Sequence, residues 1–323
     1  PKRPRLLSKS RFKLACECPT KLYFTGKKEF GNNNSDNAFL NALTEGGFQV
    51  GALAKVYHPD GVEISTLDTE EAVSETAELL KQENVTIFEP ALAHKNLLVR
   101  VDILVKKGNY IELIEVKAKS FDPNDCDDFY NKRDLKRGMH TLNSEWEPYL
   151  QDIAFQTYVA KSAFPNWKVT SSLLMADKTK TASVDGLNQR FLLSKDKNGR
   201  TSVSIKPYTD ASTVGAPVLT KVNVDSEVSV VFASKFGDLS FVDFVTKMAS
   251  AYESDKMIAP VVGSQCKSCE FRINDSLKDQ GLKSGFEECW KIAANLKQSD
   301  LKRPLVFDVW NFRKAAKLIS DGI

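Results

Sequence analysis

The stretch NLLVRVDILVKKGNYIELIEVKAK, residues 96–119, decides how this chain folds. Apolar runs from Leu97 to Val105 and from Tyr110 to Val116 flank Lys106-Lys107-Gly108-Asn109, the pattern of two antiparallel strands joined by a short turn. A turn centred on Lys107 and Gly108 places Asp102 opposite Leu113 and diagonal to Glu115. Side chains alternate along a strand, so Lys117 shares the face of both acids. Val99, Val101, Ile103, Val105, Ile114 and Val116 form a core face, and Asp102, Glu115 and Lys117 gather on the mixed one. A buried sheet face does not ordinarily carry two carboxylates, so this face is expected to meet solvent or chemistry.

Two carboxylates whose backbones lie roughly 7–8 Å apart can converge on one divalent cation. Hard oxygen ligands suit Mg²⁺, and a neighbouring lysine can orient an attacking water. The competing reading is a solvated sheet face on which Glu115 pairs weakly with Arg100 across the strand.

Elsewhere the chain has the marks of a soluble globular protein. Its 323 residues are 42% apolar, enough for a real core, and no run approaches the roughly 18 apolar residues of a membrane span. The basic start PKRPRLLSKSRFK has no apolar signal region, so the expected compartment is the cytoplasm. A net charge of +3 does not by itself demand a polyanion. Local basic clusters at Lys2 to Lys13 and Lys132 to Arg137 could nevertheless meet phosphates.

Periodicity orders the rest. Helices are expected within 7–25, capped by Ser8 or Ser10, and over 38–56, 69–82, 148–164 and 236–252. Strands are expected over 85–93 and 167–175, the second parallel to an earlier strand because a helix intervenes. Residues 191–207, with a turn at Asn198-Gly199, and 218–232 supply hairpin material. The charged segment from Lys119 to Glu147 is either a lid beside the acids or a disordered insertion.

Six cysteines make poor sense as cytosolic disulfides, and metal or cluster ligation fits them better. Cys266-Lys267-Ser268-Cys269 is a CxxC, followed after nineteen residues by Cys289; Cys16 and Cys18-Pro19 stand near the start and Cys126 alone. A CxxC by itself suits zinc, a redox pair or neither.

Taken together, Asp102 and Glu115-Val116-Lys117 resemble the first acid and the E-x-K of the PD-(D/E)XK nucleases. The cysteines resemble those of the iron-sulfur subgroup of RecB-like nucleases, seen in the AddB type and in CRISPR-associated relatives, where one N-terminal and three C-terminal cysteines hold a [4Fe-4S] cluster. That resemblance implies Cys18, Cys266, Cys269 and Cys289 as ligands, with Cys16 competing for the first place and zinc as the alternative metal. Gln156 matches the family's glutamine on the helix after E-x-K, while its companion tyrosine place holds Ala160. The family's early histidine place holds Lys55; His58 and Glu45 stand nearby as further ligand candidates.

The resemblance implies one α/β domain, a mixed sheet flanked by helices. Its core would cover about 38–176 and an elaboration about 185–235, with cluster elements at about 7–25 and 260–292. It implies Mg²⁺- or Mn²⁺-dependent hydrolysis of DNA, at ends or on single strands, in repair, recombination or defence against mobile elements. Asp102, Glu115 and the Val116 carbonyl would hold the metal, Lys117 would act on the water, and Gln156 would position Lys117 or the strand. The alternative is a non-catalytic nucleic-acid-binding scaffold. The final stretch LVFDVWNFRKAAKLISDGI resembles the front part of a bacterial family in which such a module precedes a further domain, so a longer chain is expected.

Overall fold

Six strands rich in Val, Ile and Leu form the central sheet of the computed structural model, which describes residues 5–34, 38–195 and 201–321. They and the strands of two smaller pairings are, in chain order, β1 (Val62–Glu63), β2 (Asn84–Phe88), β3 (Ala91–His94), β4 (Leu97–Arg100), β5 (Ile103–Lys107), β6 (Tyr110–Phe121), β7 (Lys168–Asp177), β8 (Phe191–Lys195), β9 (Thr201–Ile205) and β10 (Leu219–Asn223). The sheet runs β10-β7-β6-β5-β2-β1. Pairs β6–β7 and β1–β2 are parallel, whereas β2–β5, β5–β6 and β7–β10 are antiparallel. The expected mixed α/β architecture is therefore present. The Glu147–Ala163 helix supplies the crossover that a parallel β6–β7 pair requires.

Five local expectations are corrected. The run 97–105 is not one strand: β4 pairs with β3 and β5 joins the main sheet, with a bend at Val101 and Asp102. The expected strand 85–93 breaks opposite that bend. Pro90 has no N–H to give to a ladder, and Glu89 takes a left-handed φ of 54°, so Val101 N–H donates to the Pro90 carbonyl and Glu89 N–H to that of Asp102.

The register also shifts. The hairpin turn is Gly108-Asn109, one residue later than expected, with Gly108 at φ 55° and Lys107 facing Tyr110. Ile103 then faces Ile114, which sets Asp102 level with Glu115 instead of Leu113. Finally, much of 218–232 is the Asp225–Ala233 helix, because Val224, Val228 and Val231 recur at helical spacing and are buried. The 236–252 helix starts at Phe241, after a small ribbon that turns at Gly237 (φ 61°).

Contacts divide the chain into two compact units, Asn41–Phe244 and Pro1–Leu40 with Val245–Ile323. In the first, Ala52, Leu53, Ala54 and Val56 of the Ala38–Val56 helix pack on Phe88, Ile103, Ile114 and Leu174. The Glu147–Ala163 helix buries Leu150, Ile153 and Ala154 and packs against β6 and β7. Residues 122–146 are a loop anchored by aromatic rings, with 131–141 mostly exposed: Phe121 stacks on Phe129 at 5.0 Å, Trp146 stands edge-on to both, and its indole N–H donates to Asp128 at 3.0 Å. Strands β8 and β9 pair antiparallel, while the expected Asn198-Gly199 turn lies outside the described residues.

The second unit ties the start of the chain to its end. Phe30 bridges Lys283 in parallel, and Phe24 packs on Phe30 and Phe271. Helices Lys9–Glu17, capped by Ser8, and Gly285–Ala294, capped by Ser284, carry cysteines of both ends. Among the described residues, no helix is long and apolar enough to cross a membrane.

Candidate functional site

The bend that removes Asp102 from the ladder frees its side chain to reach across to β6. Its Oδ2 accepts a 2.7 Å hydrogen bond from the Val116 N–H, so the acid is pinned to the residue between Glu115 and Lys117. Glu115 is only 1% exposed. Alternation along β6 places it with Ile111 and Leu113 on the sheet face toward the Glu147–Ala163 helix, and this face is buried where a mixed face was expected.

A closed network meets it there. Lys117 Nζ donates to Glu115 Oε1 at 2.5 Å and to Asp152 Oδ2 at 2.9 Å. Gln156 Nε2 donates to Glu115 Oε2 at 2.8 Å and to Asp152 Oδ1 at 3.4 Å. Gln156 is thus aimed at Glu115 and Asp152, and its Oε1 is buried without a hydrogen bond. Asp152 and Gln156 stand one turn apart on the same helix face. Sequence reasoning missed Asp152; two polar residues four apart on a helix that otherwise buries apolar groups were its signal. Just past Lys117 the β6–β7 register shifts, and Lys119 Nζ lies 4.4 Å from the centre of the Trp146 ring at the exit of the anchored loop.

Other candidates fall elsewhere. Arg100 donates to the Thr66 carbonyl at 2.6 Å. Lys55 pairs with Glu63 at 2.6 Å and stands 3.7 Å from Glu89. His58 is held below its ordinary pKa by burial and by Lys221, against the pull of Glu112. Glu112 occupies the opposite face of β6 from Glu115, so His58 belongs to the other side of the sheet. The side chains of Glu45 and Cys126 lie outside the described residues.

In the second unit one cavity is lined by Cys18, Cys266, Cys269 and Cys289; Cys16 is not part of its wall. Cys18 ends the first helix, Cys266 lies within a short 3₁₀ turn, Ser264–Ser268, and Cys269 follows that turn directly. Burial pushes the Cys266 thiol up, Cys269 to about 11 and Cys289, which also feels its neighbouring thiols, to about 12. The Trp290 N–H is buried without a hydrogen bond of normal geometry and favours the Cys266 thiolate. At the wall, Lys21 pairs with Glu270 at 2.6 Å and Glu17 at 3.0 Å; burial opposes its charge, but the two carboxylates hold its pKa above the ordinary value.

Among the described residues, no group of three or more His, Cys, Asp or Glu side chains is spaced to hold a metal ion. The donor chemistry nonetheless divides cleanly between the units, with carboxylate oxygens in one and thiols in the other. No protein-family model matches the chain, and no curated protein matches it.

Proposed function

We propose that the chain is a metal-dependent nuclease of the PD-(D/E)XK type, hydrolysing phosphodiester bonds of DNA, with a [4Fe-4S] cluster in its second unit. The observation that carries this is the Asp102–Val116 hydrogen bond, which sets the first acid beside Glu115 and Lys117 across two strands. The residues present fit a hard cation: Asp102 and Glu115 offer carboxylate oxygens, Val116 a carbonyl, and Glu115 Oε1 already accepts a cationic ammonium.

Held by Asp102, Glu115 and the Val116 carbonyl, Mg²⁺ or Mn²⁺ would supply an acidified water and positive charge against the developing phosphorane charge. Glu115 is held in one orientation by Gln156. Lys117, fixed by its partners, presents its ammonium to orient the water and to meet the phosphate.

Four thiols in the wall of one cavity are the donor set that a [4Fe-4S] cluster takes, so the residues present fit it. Cys18, Cys266, Cys269 and Cys289 would hold it. The orphan Trp290 N–H and the Lys21 charge are groups that favour anionic sulfur. Such ligation joins the two ends of the chain within the second unit.

Anaerobic purification followed by the visible spectrum, iron and sulfide analysis, and incubation with labelled single- and double-stranded DNA and RNA plus Mn²⁺ tests both parts. A brown protein that degrades DNA is expected. Zinc without iron or labile sulfide overturns the cluster. Failure to cleave any nucleic acid with the cluster intact overturns the enzyme and favours a binding scaffold.

A further inference from the structure

We propose that Asp152 is a positioning residue for Lys117, holding its ammonium so that Glu115 can exchange that ammonium for a divalent cation. The proposal rests on the metal-dependent reading of Asp102 and Glu115. Lys117 Nζ sits between two buried carboxylates, 2.5 Å from Glu115 Oε1 and 2.9 Å from Asp152 Oδ2. A metal ion arriving at Glu115 therefore meets a like charge on the same oxygen. With Glu115 as its main counter-ion, Lys117 would compete with the metal throughout. Asp152 gives the ammonium a second seat, so Lys117 can leave Glu115 while remaining beside the site.

The seat is rigidly placed. Asp152 lies inside a helix, 7% exposed, and Gln156 one turn later spans Glu115 Oε2 and Asp152 Oδ1. The two carboxylates are thereby kept apart and aimed at the lysine. A simple packing role predicts an uncharged residue at this depth, since burial of a carboxylate is costly.

The experiment is a cycle of Mn²⁺ affinities measured by calorimetry on the full chain without nucleic acid. Asp152→Asn keeps the side-chain shape and removes the charge. It is expected to weaken Mn²⁺ binding about 10–100-fold, the usual cost of losing a residue that orients a ligand. In a Lys117→Met background the same substitution is expected to change affinity by less than about twofold, because no ammonium remains to be held. Asp152→Glu, which keeps the charge but adds a methylene, is expected to stay near wild type and answers the case in which the Asn variant fails to fold. An equal loss in both backgrounds, or a Glu variant that behaves like Asn, overturns the positioning role. A wild-type chain that binds no Mn²⁺ overturns the metal reading itself, a result distinct from either.

Discussion

Replacing Lys117 with methionine tests whether the site is a buried charge network or a surface ion pair. The substitution preserves an apolar stem of similar length and removes the ammonium that lies between Glu115 and Asp152. Their side chains are 1% and 9% exposed, so two carboxylates would face each other without the shared cation and with little water. Breaking a buried pair by removing one partner costs about 3–5 kcal/mol. Lys117 itself is one-fifth exposed, which argues for the lower end, about 3 kcal/mol. For a unit of this size that corresponds to ~6–12 °C in melting temperature. Urea unfolding near neutral pH in excess chelator, followed by circular dichroism and by fluorescence, measures the loss. The control is Lys81→Met, which removes an exposed pair with Glu78 and should cost no more than about 1 kcal/mol. A loss at Lys117 no larger than at Lys81 refutes the network as an energetic unit.

Reduced, metal-free protein should lose stability as pH rises. Burial raises the folded pKa of Cys269 to about 11 and of Cys289 to about 12, so the unfolded chain gives up these protons first. Their contribution is complete below about pH 9 and is lost between there and about 12. Melting curves taken across that range should flatten in Cys269→Ser, and a wild-type curve without slope refutes the burial argument. Gly285→Ala should destabilise the second unit by about 1–3 kcal/mol, because its Cβ would fall 2.8–3.1 Å from the ring of Phe24 beside the cysteine cavity. Unchanged unfolding would show that this ring gives way. Trp146→Ala should cost about 3–5 kcal/mol and open residues 122–146 to proteolysis, since it removes the ring against Phe121 and Phe129 and the bond to Asp128. Cleavage elsewhere would place the weak point outside that loop.

Much of the first unit was legible because its signals are local. The Ala38–Val56 helix and the crossover helix followed by a parallel strand appear where apolar period and length put them. The missed strand breaks were each decided by a partner outside the run, at a distance in sequence. Pro90 and Glu89 broke two strands at once, and whether the turn centred on Lys107-Gly108 or Gly108-Asn109 shifted every pair of the hairpin. In the second unit the same distance hid the cavity: spacing could nominate Cys18 or Cys16, but only the packing of the first helix against the end of the chain puts Cys18 in the wall.

Glu115 shows why the site was harder to see than the fold. Two carboxylates were taken as a mark of a face left open, on the sound ground that buried charge is costly. The structure buries Glu115, Asp152 and Gln156 together between sheet and helix around the half-buried Lys117, satisfying nearly every polar atom from within the group and leaving Gln156 Oε1 unmet. Replacing such a network by apolar side chains of similar volume is often neutral or stabilising, so packing alone gives no reason to keep it. Local rules that fail at one place, while holding along the strands and helices around it, mark the place where something other than stability set the residues. The polar atom left unmet lies in that same group, one turn from Asp152 and directly against the glutamate that would hold the metal.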